Sequence, residues 1–267
     1  MVVDLSSAQA ADLIRAQSNL VVDVVNGFTR QTFLTRGGRL GSGMGLLLEG
    51  LWGYHTTRAL SEHGIEIAWI ADDQYNDYAC VDVEVDWDPA SRWGELFRIE
   101  AKTMNLGADE SKAHFAEPAA QIGPDDLILV MTWRWEPDAS GRRVWPKIAD
   151  TFIDRALPLA EFRDAMHLAR RGTFVNRADC PDQCLPELCR HHGEPLNAEG
   201  KRERLSGPDS RRPSAKVSFA ANFGGLVRMI GTSNAASRAR LTEVCEENSV
   251  ARHYVEFIRR NRLRPHV

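Results

Sequence analysis

The sequence lacks the features that mark several whole classes of protein. It contains no run of about 18 apolar residues, so we expect no transmembrane helix and no membrane partner. Its N-terminus has no basic stretch followed by an apolar core, which a secretory signal peptide requires. The five cysteines are an odd number in a chain without such a signal, and this argues against a disulfide framework. We therefore expect a cytoplasmic protein.

The chain also lacks a strong net charge. Its 267 residues carry a formal net charge of −4, with 43% hydrophobic and 26% charged residues, which is ordinary for a globular protein. The absence of an overall positive charge does not exclude DNA as a partner. Carboxylates of a metal site subtract charge, and a nucleic-acid surface needs only local basic residues. The length suits one large domain or two small ones.

A pair of charged strands is the most informative pattern that is present. Segments 81–86 and 96–103 alternate apolar and charged residues, and a turn-like stretch with Pro and Ser separates them. Alternation predicts two strands of a hairpin, and it places Glu100 and Lys102 on one face. A turn centred between the segments would put Asp82 opposite Glu100. The pattern then predicts two carboxylates and one ammonium group close together.

Such a group has a chemical use. Carboxylate oxygens hold Mg²⁺, which lowers the pKa of a bound water and neutralises charge on a phosphorane. A nearby lysine orients or deprotonates the attacking water. Asp77 is a rival to Asp82, because it also precedes an apolar strand. The alternative without chemistry is a solvated ladder of cross-strand charges.

The order of strand, Asp, strand and Glu-x-Lys resembles the PD-(D/E)XK nuclease superfamily, which includes many restriction endonucleases. Asp82, Glu100 and Lys102 carry the resemblance, together with Glu49 in a helix-like run, and it covers residues 43–135. The resemblance implies that Glu49, Asp82 and Glu100 bind Mg²⁺. It also implies that Lys102 positions the attacking water, so that all four residues are catalytic candidates.

The resemblance also implies a fold and a function. The expected fold is α/β (α+β): a restriction-endonuclease-like mixed central sheet flanked by helices, with the catalytic domain over 1–171. The expected function is Mg²⁺-dependent hydrolysis of phosphodiester bonds in double-stranded DNA by a type II restriction endonuclease. Since cutting both strands needs two active sites, a homodimer is the simplest assembly. Two alternatives stay open: a repair, recombination or mobile-element nuclease, and a non-catalytic zinc-containing DNA-binding module.

A second cluster follows a change of composition near residue 172. From there to residue 216 the chain is polar and rich in Arg, Pro and Gly, so it buries little core unaided. This stretch contains a compact set of thiol and imidazole groups: Cys180, Cys184, Cys189, His191 and His192. Three thiolates and one imidazole form a tetrahedral Zn²⁺ site, and a polar segment without a core needs such support. We favour His192 over His191, because the longer gap lets the chain turn around the metal.

The zinc-stabilised C-terminal region, 172–267, is the predicted DNA-recognition region. Lysines and arginines between 201 and 216 follow the zinc candidates, and a second basic, glycine-rich stretch spans 29–44. Both are candidates for phosphate contacts, which need local positive charge. Unpaired thiols and solvated basic loops are the alternatives.

Apolar periodicity predicts the remaining elements. Helices are expected at 6–20, around Glu49, and over 148–171 with an interruption at Pro158; strands are expected at 65–70 and 126–135. The short run 21–25 leaves its type open.

Overall fold

The structure of the chain is a computed structural model that describes residues 5–35, 43–70, 77–107, 115, 119, 122–169, 225, 230 and 235–261. It divides the chain into two compact units. The first comprises 1–111, 122–158 and 256–263, and the second comprises 112–121, 159–255 and 264–267. The predicted boundary near residue 172 lies outside the described residues and stays a prediction.

A five-stranded mixed sheet is the centre of the first unit. Its strands are β1 (Ile65–Trp69), β2 (Tyr78–Asp82), β3 (Glu95–Asn105), β4 (Leu127–Pro137) and β5 (Val144–Arg155). They lie in chain order, β1-β2-β3-β4-β5. Only the β3–β4 pair is parallel, and the other three pairs are antiparallel. The expected mixed sheet with flanking helices is therefore confirmed.

Two long helices pack on one face of this sheet. α1 (Ser7–Thr32) begins with a capping box, in which Ser6 and Gln9 each bind the other's backbone N–H. α2 (Met44–Leu60) carries Glu49, as predicted. The core between helices and sheet is built from aliphatic and aromatic side chains, among them Ile14, Leu48, Trp52, Phe97, Ile99, Leu129 and Trp133. None of the helices in the described part of the chain is long and apolar enough to cross a membrane.

Two segments differ from the sequence-based expectation. α1 continues through 21–25, the run whose type the sequence left open. The predicted helix over 148–171 is wrong in its first half, because Ile148 belongs to strand β5 and helix α3 (Ala156–Ala169) begins only after it. Pro158 does not interrupt α3. It lies in the first helical turn, where a backbone N–H has no helical partner to lose.

Asn26 ties α1 to β5. Its side-chain amide donates to the carbonyl of Ile148 at 2.9 Å and accepts from the N–H of the same residue at 2.8 Å. These bonds occur where the pairing of β4 with β5 shifts register, between Thr132 and Trp133. The Asn side chain thus supplies, at an irregular point of the sheet, the two bonds that a neighbouring strand would make.

Two further helices are α4 (Ala235–Glu247) and α5 (Ser249–Arg260). The end of α5 belongs to the first unit, where Arg260 forms an ion pair with Asp150 at 2.7 Å. Next to it, the Phe257 ring packs against Phe152. In the second unit, the buried Arg163 donates to the carbonyl of Phe115 at 2.7 Å.

Candidate active site

The start of β2 brings Asp77 beside Glu100. Tyr78 pairs with Ile99 in the antiparallel register, so that the preceding residue, Asp77, lies opposite Glu100. The N–H of Asp77 donates to the carbonyl of Ile99 at 3.1 Å. The carboxylate of Asp77 in turn accepts the N–H of Ala101 at 2.8 Å. Backbone pairing therefore fixes this carboxylate next to the Glu-x-Lys segment.

Lys102 joins the two carboxylates. Glu100 and Lys102 are two residues apart on β3 and share a face, as the alternation predicts. The Lys102 Nζ lies 2.6 Å from Glu100 Oε1 and 3.6 Å from Asp77 Oδ2. Burial alone would lower the pKa of Lys102, but Glu100, Asp77 and Glu49 outweigh it and raise that pKa. The lysine is consequently a cation held among carboxylates.

Glu49 approaches the same group from α2. Burial, and then the negative charge of Asp77, raise the pKa of Glu49 to about 7. Lys102 and a hydrogen bond with Thr103 offset only part of this effect. Glu49 lies near enough to Asp77, Glu100 and Lys102 for the four charges to influence one another, and these four side chains are the cluster. The cluster holds three carboxylates and one ammonium group, so it carries excess negative charge.

Two glycines let α2 come this close to the sheet. A Cβ on Gly45 would overlap the Oγ1 of Thr103, and a Cβ on Gly53 would lie 2.8 Å from the ring of Tyr78. Both glycines are four residues from Glu49, and positions four apart share a helix face. The signal that the sequence reasoning missed was this spacing, Gly45-Glu49-Gly53, in which small residues flank an acidic one.

Asp82 is not part of the cluster, and the expectation that it lies opposite Glu100 is wrong. It is the last residue of β2 and pairs with Ile65 of β1. Its carboxylate accepts the N–H of Glu84 at 2.9 Å, inside the following turn. The expectation assumed one regular hairpin. In the structure, β2 ends at Asp82, β3 begins at Glu95, and the register shifts between Cys80 and Val81.

Arg98 shares a strand with Glu100 and Lys102, but it makes structural contacts outside the cluster. It is buried, and its guanidinium donates twice to Glu95, at 2.8 Å each. Burial would raise the pKa of Glu95, but hydrogen bonds from Arg98 and Arg92 outweigh it and lower that pKa. The same arginine reaches the carbonyl of Pro89 at 3.4 Å. Arg98 therefore anchors the segment between β2 and β3.

The donor chemistry of the cluster fits Mg²⁺, although its geometry is not that of a closed metal site. Within the described ranges, no group of three or more His, Cys, Asp or Glu side chains is arranged to hold a metal ion. The ammonium group of Lys102 lies among the carboxylates instead. Carboxylate oxygens are nevertheless the ligands that Mg²⁺ takes, usually one or two of them with several waters. Glu49, Asp77 and Glu100 would supply them.

The predicted zinc ligands lie outside the described residues. This applies to Cys180, Cys184, Cys189 and His192, and to the rival His191. The basic segment 201–216 lies outside them too. The zinc site and the recognition region stay predictions.

No protein family, no curated protein and no solved structure matches this chain.

Proposed function

We propose that this chain is a Mg²⁺-dependent endonuclease that hydrolyses phosphodiester bonds in double-stranded DNA. The supporting observation is the clustering of Glu49, Asp77, Glu100 and Lys102 at the start of β2. The carboxylates come from α2, from the residue before β2 and from β3, and the lysine follows Glu100 by two residues. A ladder of solvated surface charges would not be expected to raise the pKa of one member to about 7 by burial.

The four side chains have distinct roles in this proposal. Asp77 and Glu100 would hold the metal, and Glu49 would contribute from α2 as a further ligand. Mg²⁺, when bound, would supply charge neutralisation at the phosphate and a lower pKa for water. The ammonium group of Lys102 orients the attacking water and stabilises negative charge that grows on the phosphate oxygens. Asp77 takes the role that the resemblance implied for Asp82.

The finer assignment is a type II restriction endonuclease that acts as a homodimer. The zinc region around Cys180, Cys184, Cys189 and His192 supplies the recognition element, and basic residues between 201 and 216 contact phosphates. The support is in the sequence: a polar stretch with closely spaced ligands, followed by lysines and arginines.

The test is digestion of supercoiled plasmid by the purified chain with Mg²⁺, and with EDTA in place of the metal. Both methylated and unmethylated plasmids are used, together with a branched DNA substrate. Defined fragments support the restriction assignment, and cutting confined to branches supports a repair or recombination nuclease. The matched variants are Glu100→Gln and Lys102→Met, with Glu66→Gln, an exposed change on β1, as the control.

The proposal predicts that the first two variants lose cleavage while the control keeps it. Binding of DNA without cutting by the unaltered chain on every substrate would overturn the nuclease assignment in favour of a DNA-binding module. The zinc site has a separate readout. Metal analysis of chelator-washed protein should give about one zinc per chain, and Cys184→Ser should lower metal content and stability together.

A further inference from the structure

An exposed apolar row runs along α1. Leu20, Val24 and Phe28 are 61%, 51% and 40% exposed, although each carries a large apolar side chain. Residues four apart lie on the same face of a helix, so these three form one continuous row rather than scattered exceptions. Contiguous apolar surface on a folded chain marks a place where another surface packs.

The row continues onto α2 within the same unit. The ring of Phe28 lies 6.1 Å from that of His55, and Tyr54 packs edge-on against His55 at 5.0 Å. Tyr54 is itself 56% exposed. The apolar surface thus spans two neighbouring helices, which gives it width as well as length.

Two opposite charges flank the row on one side. Asp23 and Arg30 are both exposed and lie two helical turns apart on the same edge of α1. Within the described part of the chain, neither forms an ion pair. Gly27 lies between them on the open surface, and a Cβ there would meet nothing within 4 Å. No contact within the described unit therefore accounts for a glycine in the middle of a helix, where it costs about 1 kcal/mol relative to alanine.

The charges of one α1 helix are complementary to those of a second α1 helix that runs in the opposite direction. In an antiparallel pair of α1 helices centred near Asn26, Asp23 of each copy meets Arg30 of the other. Val24 of each copy then meets the open surface at Gly27 of the other. In a parallel pair about a two-fold axis, the charged edges of the two copies lie on opposite sides of the interface, so that no pair between Asp23 and Arg30 forms. Flanking charges of this kind set partner and orientation in helix pairs.

We propose that two copies of this chain associate through α1, antiparallel and about a two-fold axis near Asn26. Such an interface uses the same patch on both partners, as a two-fold dimer requires. The side chain of Asn26 is not part of this interface, because it is bonded to the backbone of Ile148. These bonds hold α1 on the sheet of its own chain. Association is driven by Leu20, Val24 and Phe28, while the two ion pairs select the antiparallel orientation. The inference rests on the homodimer of the proposed function, for which it names the interface, and it needs no DNA cleavage.

The test is the oligomeric state of the full chain, measured by sedimentation equilibrium across the micromolar range at low salt. Val24→Asp places two unpaired carboxylates in the interface, and it should weaken dimerisation about a hundredfold or more. Asp23→Arg replaces two attractions by two repulsions, and it should weaken dimerisation about tenfold. The double swap, Asp23→Arg with Arg30→Asp, should restore most of the wild-type affinity.

The control is Glu66→Arg, an exposed charge reversal on β1, which should leave the dimer unchanged. Circular dichroism confirms that each variant is folded. A chain that is monomeric over the whole range overturns the proposal. It is overturned equally by a dimer that Asp23→Arg leaves intact, or by a double swap that is no tighter than Asp23→Arg alone. A catalytically dead chain that still dimerises separates this inference from the nuclease proposal.

Discussion

The two ends of β2 present the same kind of residue in opposite settings. At the beginning of the strand, Asp77 is held by the backbone of β3 and lies beside Glu100 and Lys102. At its end, Asp82 accepts the N–H of Glu84 and stabilises a turn. An aspartate next to an apolar strand has no function by itself. Its surroundings depend on its partner strand. Next to Tyr78, β3 continues from Ile99 to Glu100 and Lys102, whereas Asp82 pairs only with β1 and begins the following turn.

The largest effect should come from neutralising each aspartate in turn. Asp77→Asn keeps an oxygen for the N–H of Ala101 but removes a negative charge from the proposed metal site. We expect cleavage to fall about a hundredfold or more, because losing a ligand charge costs several kcal/mol of transition-state stabilisation. Asp82→Asn should keep nearly full activity. Initial rates of plasmid nicking at saturating Mg²⁺ check both variants, and an active Asp77→Asn beside a dead Asp82→Asn would reverse the assignment.

The next effect compares two glycines of α2, one that contacts the sheet and one that does not. Gly45→Ala places a methyl group against Thr103, and we expect a loss of about 1–3 kcal/mol in unfolding free energy, with reduced cleavage. Gly50→Ala, in the same helix, meets nothing within 4 Å and should gain up to about 1 kcal/mol. Urea unfolding measures both. Equal effects of the two changes would show that contact with Thr103 does not matter.

The pH dependence of stability should report the charge crowding at Glu49. Its pKa is about 7 in the folded chain and 4.5 when unperturbed, so the folded state binds the proton more tightly. This stabilisation is complete below pH 4.5 and is lost as the pH rises through 7. In Glu49→Gln that loss should disappear, which changes the difference between the two proteins by about 2–3 kcal/mol from pH 5 to 8. Urea midpoints at several pH values test this, and parallel curves for both proteins would contradict it.

The smallest effect should belong to the other end of the strand. Asp82→Ala removes the acceptor for the N–H of Glu84, and it should cost about 0.5–1.5 kcal/mol in unfolding free energy. The cleavage rate of the folded protein should not change. A thermal melt and a nicking assay on the same sample measure the two quantities. A large loss of activity without a loss of stability would assign Asp82 to the proposed active site.

The sequence predicted elements better than it predicted register. The helix around Glu49 and the strands that became β1 and β4 each have a clear apolar pattern, and the structure confirms them. The face shared by Glu100 and Lys102 followed from alternation alone. The partner of Glu100 did not, because it depends on where β2 ends, where β3 begins and where the register shifts. Alternation carries no information about these lengths.

The other misreading, of β5 as a helix, has a similar cause. Its residues mix apolar and polar positions irregularly, because the pairing with β4 shifts near Trp133 and so breaks the period of two. Local pattern then favours neither helix nor strand, and tertiary pairing decides. For the Gly45-Glu49-Gly53 spacing the pattern was visible, but its meaning depended on a neighbour, Thr103, that only the folded chain supplies.

The double hydrogen bond of Asn26 to Ile148 has a consequence for amide hydrogen exchange. The N–H of Ile148 lies at an irregular point of the sheet, where pairing alone would leave it prone to local opening. With the side chain of α1 as its acceptor, it can exchange only when the helix separates from β5. The exchange rate at this one amide therefore reports the docking of α1 as a whole. Replacing Asn26 by Leu should make exchange at Ile148 independent of the docking of α1. Ile148 should then exchange by local fluctuation, while neighbouring amides of β5 exchange only on global unfolding.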